Sequence, residues 1–192
     1  MNDRRKIKLV QALTGAVVLT LLMQGMTLLG MPQYTWMLFL PLLMFFALGA
    51  DFKNIPSMVI CYAVGELWCV INSLVTAGFT SVFGATNMVM SNIVPTIIVI
   101  FLILTVHENL FEGKIFSNIP CIFMGMATSF FTLFMQQPIG YFHLFGFWCY
   151  GIVLAVCLVG GGMLVCSAIF GKERAMAAMM PPQAQAGEKD AQ

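Results

Sequence analysis

Position 66 is a glutamate inside an otherwise apolar stretch, Ser57–Phe79. It lies ten residues beyond Pro56. At about 1.5 Å per helical residue the carboxyl stands about 15 Å along a helix, near the middle of a ~30 Å hydrocarbon layer. A charge at that depth is unfavourable by at least ~2.5 kcal/mol, so such residues face a protein interior or a water-filled cavity and mark paths for solutes or protons. Helical spacing puts Tyr62, Cys69 and Ser73 on the same face. Gln24, Asn92, Thr96 and Thr128 are the candidate partners on other segments, and no Lys or Arg lies within an apolar stretch to pair with the acid. Without a cation, a carboxyl in hydrocarbon favours its protonated, hydrogen-bonding form. Two accounts stay open: a substrate or proton path through Glu66, Tyr62, Cys69, Ser73, Asn92 and Thr96, or a protonated Glu66 that locks helices together.

The segments that must position this face are read from composition. Hydrophobic residues make up 60% of the 192 and charged ones 9%, against roughly 25% charged in soluble domains, and the mean hydropathy is +0.91. Six apolar runs have about the length a bilayer needs, near 8–29, 34–50, 57–79, 87–106, 116–135 and 144–170. The expected fold is all-α, a polytopic membrane domain over 1–170 with a polar, disordered tail over 171–192. All nine basic residues fall before or at the first residue of the first run, between the second and third, between the fourth and fifth, or after the sixth. The other three connections carry no Lys, Arg, Asp or Glu. Because Lys and Arg concentrate in cytoplasmic loops, both termini are expected in the cytoplasm, which requires an even number of spans. The basic residues up to Lys8 resemble the start of a signal peptide, but the apolar run is too long and no small-x-small site follows before Met31, so an uncleaved first helix is expected.

One phrase occurs twice: GADFKNIP at 49–56 and GKIFSNIP at 113–120, five of eight positions agreeing. Each copy precedes an apolar run. Asn54 and Asn118 are of the type that caps helix N-termini. Pro56 and Pro120 fall in the first turn, where a missing N–H is harmless, and the glycines let the preceding helix end in a left-handed turn. Capped helical hairpins explain the phrase better than a pore built from half-helices, since both copies fall on one side of the membrane. They imply a parallel repeat in which spans two and three match spans four and five. In span four, Pro95 predicts a kink near Asn92 and Thr96, whose side chains could satisfy the freed backbone.

Other chemistry finds little support. The six cysteines lie within apolar runs with no CxxC pair, which disfavours disulfides and zinc. Sixteen methionines serve as apolar filler rather than a copper site, since no His–Met cluster accompanies them. His107 and His143 read as interfacial side chains at opposite faces. Trp36 and Trp148 fit an aromatic belt, with Trp68 deep beside Glu66. Gly160, Gly161 and Gly162 permit close helix approach. No nucleotide-binding or nucleophile motif is present, so neither an enzyme, a cofactor nor a nucleic-acid partner is expected.

Several local features resemble the bacterial membrane proteins of domain-of-unknown-function family 1097. These are the Trp36–Leu40 stretch, Gly65 followed by Trp68, and NIPCIFMGMATSF at Asn118–Phe130. The likeness covers roughly Gly30–Gly171. It implies a small multi-pass protein of the bacterial inner membrane, and no chemistry. In the family an apolar residue follows the glycine equivalent to Gly65, which implies that Glu66 is particular to this chain. The expectation is passage of a small, unidentified solute or ion through the bundle or a homo-oligomer of it. A non-transporting accessory or sensory subunit is the alternative.

Overall fold

The structure, a computed structural model, describes residues 3–133, 135 and 139–179. It is helical nearly throughout, with no strand among the described residues. Helix α1 is Asp3–Leu28, α2 Phe39–Ala47, α3 Ile55–Phe83, α4 Val94–Thr105, α5 Ile119–Leu133, α6 Tyr141–Phe170 and α7 Lys172–Met179. Arg5–Leu28, Phe52–Phe83, Val89–Leu110 and Tyr141–Phe170 are long and apolar enough to cross a membrane. The expected second and fifth spans are apolar but shorter, Pro32–Ala47 and Ile119–Thr132. Part of the tail expected to be disordered is ordered: Lys172–Met179 is helical, and Ala175 is buried in a cluster with Ile7 and Cys166. Residues 180–192 lie outside the described residues.

The helices divide into two compact units, one from the described parts of Met1–Leu38 and Val153–Gln192, the other Phe39–Ile152. In the first, α1 packs along the later half of α6. The Cys166 thiol lies 3.6 Å from the Ile7 carbonyl, and Gly162 leaves room for the Gln11 side chain. An apolar crevice of about 510 Å³ runs between Val18, Leu21 and Leu22 on one side and Cys157, Gly160 and Leu164 on the other.

The second unit is organised around α3, whose most extensive contact is with α5. The two helices run parallel, since Ser57 and Cys61 meet Ile115 while Tyr62 and Gly65 meet Ile122 and Gly125. They cross where a methyl group at Gly65 would strike the Ile122 carbonyl and one at Gly125 would strike the Tyr62 carbonyl. Each glycine therefore admits the other helix's backbone, a device that membrane helices use where the apolar effect cannot drive association.

The repeated phrase leads into these two helices by different routes. Gly49 has φ 81° and ends α2 with the paired bonds of a Schellman turn, Ala50 N–H to Phe45 O and Gly49 N–H to Phe46 O. Gly113, φ 67°, also takes the left-handed conformation. Asn118 caps α5 as its residue type suggests, its Oδ1 lying 3.4 Å from the Cys121 nitrogen. Asn54 does not cap α3. A 3₁₀ turn, Phe52–Asn54, brings the chain to α3 already helical, with Asn54 at φ −80°, ψ −15°. The cap moves back to Asp51, whose side chain accepts from Lys53 N–H at 2.9 Å. The Asn54 amide instead donates to the Leu48 carbonyl at 3.1 Å, tying α3 to the end of α2. The second copy has Ile115 where the first has Asp51, so its asparagine caps directly.

The crossing predicts a sharp contrast between two glycines of α3. Gly65→Ala should lower the thermal stability of the purified protein by about 1–3 kcal/mol, the usual effect of overpacking. Gly78→Ala, where a new methyl meets nothing within 4 Å, should be neutral or slightly stabilising. Thermal melts in one detergent, followed by circular dichroism, check both.

Candidate functional site

Glu66 follows directly from the crossing. Its backbone nitrogen lies 3.2 Å from the point a Gly125 methyl would occupy, which places it near the middle of α5 as well as of α3. The side chain is 8% exposed. One carboxyl oxygen, Oε1, is fully buried and has no hydrogen-bond partner among the described residues. The carboxyl lies within electrostatic reach of the Tyr62 and Tyr141 hydroxyls and the Cys69 and Cys149 thiols. Tyr141, at the start of α6 and 41% exposed, lies beside the Cys69 thiol and carries the cluster out to the surface.

A rigid wall stands on one side of the acid. The Tyr62 ring stacks on Trp148 at 4.2 Å between centroids, with the planes 12° apart. Trp148 donates its indole N–H to the Met58 carbonyl at 3.2 Å. The Tyr62 hydroxyl meets Thr128 Oγ1 at 2.8 Å. Thr128 has one proton, and the Met124 carbonyl 2.8 Å away can only accept it. Tyr62 is therefore the donor to Thr128, and α3, α5 and α6 are bonded around one phenol. Trp148 is thus a buried core residue rather than part of an interfacial belt.

The structure brings together some of the expected site residues and separates others. Glu66, Tyr62 and Cys69 share one face. Ser73, one turn beyond Cys69, is exposed and returns its hydroxyl to the Cys69 carbonyl at 3.0 Å. Asn92 is exposed and Thr96 half-buried, and neither satisfies Glu66. Nor is Asn92 what relieves Pro95. A π-helical turn, Val89–Ile93, closes from Val94 N–H to Val89 O ahead of the proline, and the buried Ser91 hydroxyl donates to the Gly84 carbonyl at 2.7 Å. Thr128 is spent on Tyr62, and Gln24 is exposed in the other unit.

Sequence reasoning also missed two polar residues. Asn72, on α3, has a buried oxygen without a partner among the described residues. His107 is 3% exposed rather than interfacial, in a second π-helical turn, Val106–Leu110, and bonded on both ring nitrogens. A Trp twelve residues into an apolar run, needing a partner for its indole N–H, was the available signal for His107.

Membrane-length apolar helices, packed through glycines and carrying one unsatisfied acid, define a helical protein of membrane type. A family model described as protein of unknown function (DUF1097) matches residues 10–172, and the chain belongs to that family. No curated protein and no solved structure matches it.

Replacing the acid distinguishes a lock from a site held open. Because its carboxyl makes no hydrogen bond among the described residues, Glu66→Met should leave thermal stability unchanged or raise it. A loss of more than about 2 kcal/mol would show that the carboxyl ties helices together. Tyr62→Phe, which removes the bond to Thr128, should cost about 1 kcal/mol in the same melts.

Proposed function

We propose that this chain is a six-span protein of the bacterial inner membrane, both termini cytoplasmic, that permits passage of a small solute or ion past Glu66. The observation that carries this reading is the orphaned carboxyl. Buried polar groups in proteins are nearly always hydrogen-bonded, and in hydrocarbon the alternative is more unfavourable still. A carboxyl that only locked helices would have its partners. One held without them beside phenols and thiols is suited to select or exchange protons with what passes.

The one-sided distribution of Lys and Arg supports the topology. Six spans then include Pro32–Ala47, which begins with a 3₁₀ segment Pro32–Leu38, and Ile119–Thr132, about 28 Å and about 21 Å long at the respective helical rises, both shorter than a ~30 Å core. Short spans are accommodated by a thinned bilayer or by association, so a homo-oligomer is part of the proposal. The two copies of the turn phrase, read as a parallel repeat, make α3 and α5 equivalent helices, and the path proposed here runs beside their crossing rather than between them. Catalysis is not proposed, and no cofactor is called for.

Stopped-flow light scattering on proteoliposomes tests the reading. Small neutral and weakly acidic solutes are compared at two pH values, for the unaltered protein and for Glu66→Gln. Expected is a solute whose permeability rises with protein content and changes several-fold in the variant. Flux no greater than in empty vesicles, with both proteins folded, would sink the proposal and leave an accessory or sensory subunit as the better account.

A further inference from the structure

His107 joins three segments through one ring. Trp68 of α3 donates its indole N–H to Nε2 at 3.1 Å, and Nδ1 lies 2.8 Å from the Phe116 carbonyl. An indole N–H can only donate and a carbonyl can only accept. Nε2 must therefore be bare and Nδ1 must carry the proton, so the arrangement admits only the neutral ring in one tautomer. The same ring packs against Phe111 at 5.7 Å and edge-on to Trp68 at 6.3 Å, and Phe111 packs on Phe116 at 5.3 Å.

We propose that His107 is an acid-sensitive latch between α3 and α4, closed when the ring is neutral and opened when it gains a proton. The inference is independent of Glu66 and of any transported solute. A protonated imidazole has two N–H donors and no acceptor. Nε2–H would then face the Trp68 N–H, donor against donor, and that bond is lost. The Nδ1–H bond to Phe116 survives and is strengthened by the charge. The turn that carries Phe116 also stays fastened to α3, because the Ser57 hydroxyl and the Cys61 thiol reach the Ile115 carbonyl at 2.8 and 3.2 Å. Protonation thus releases one contact, Trp68 with His107, and leaves the connection between α4 and α5 in place.

The groups that face the ring are uncharged. From α3 it meets the uncharged indole of Trp68, and from the connection the Phe116 carbonyl and the Phe111 ring. The charged side chains nearest in the chain are Glu108, Glu112 and Lys114. The Lys114 ammonium lies 5.8 Å over Phe111. Imidazole is the side chain that takes up a proton closest to neutral pH. The π-helical turn holding it is a conformation often found at functional positions.

The test is fluorine NMR on the full chain in lipid nanodiscs, with all three tryptophans replaced by 5-fluorotryptophan and the Trp68 resonance assigned by Trp68→Phe. Between about pH 8 and about pH 5, the Trp68 resonance should move from one position to another while Trp148, stacked on Tyr62, stays fixed and reports that the unit is folded. In His107→Gln the amide can accept from Trp68 and donate to Phe116 without titrating, so the resonance should hold its high-pH position throughout. In Glu108→Gln the movement should persist. A Trp68 resonance that ignores pH in the unaltered protein would overturn the proposal. So would one that moves equally in His107→Gln, or one whose movement disappears in Glu108→Gln.

Discussion

Two helices that approach until the backbone of each fills the space above the other's glycine have almost no freedom to slide. The Gly65–Gly125 crossing imposes that condition on α3 and α5. A single methyl on either side would meet a carbonyl oxygen, so the register between the helices is set to within a fraction of a turn. From that register follow the reach of Tyr62 to Thr128, the seating of Ile115 against Ser57 and Cys61, and the position of Glu66 one residue past the contact. In an apolar environment, where burying apolar surface discriminates little between helix arrangements, such a steric constraint does what a hydrophobic core does in water.

Around this crossing the polar groups fall into two kinds. Tyr62, Thr128, Trp148 and His107 all have partners, and together they bond α3 to α5, to α6 and to the π-helical turn that follows α4. Glu66 and Asn72 keep an oxygen without one among the described residues. The contrast matters because both kinds lie on the same helix, within a few turns of each other. The fold evidently can satisfy buried polar groups here, which makes an unsatisfied one informative. The function proposed above rests on that difference, and the latch rests on the opposite property, a ring so fully satisfied that one added proton must break a bond.

Much of this was legible in the residues themselves. An acid in an apolar run announces its burial, and helical periodicity correctly joined Tyr62 and Cys69 to it. The same periodicity puts Ser73 on that face of α3, but the residue is exposed there. Asn92 and Thr96 stand close enough to Pro95 to bond the backbone it frees, yet neither does so among the described residues, and the chain enters the proline through a π-helical turn. The two asparagines of the repeated phrase illustrate a finer limit. Identical residues before identical prolines act differently, because Asp51 starts a 3₁₀ turn in one copy and Ile115 cannot in the other.

The sequence by itself determined the helical class, the apolar stretches and the presence of one acid within them. These depend on composition and on residues close along the chain, where transfer energies and helical geometry act without reference to a fold. It determined the family as well, since matching segments run from one end of the helical region to the other. The tertiary structure alone decided that Glu66 is left without a hydrogen bond among the described residues, that Trp148 is core, and that His107 is a bonded node rather than an interfacial ring. Each of these turns on which donor meets which acceptor across helices 39 to 90 residues apart. Pairing at that range is set by the steric fit at Gly65 and Gly125, which no local pattern encodes.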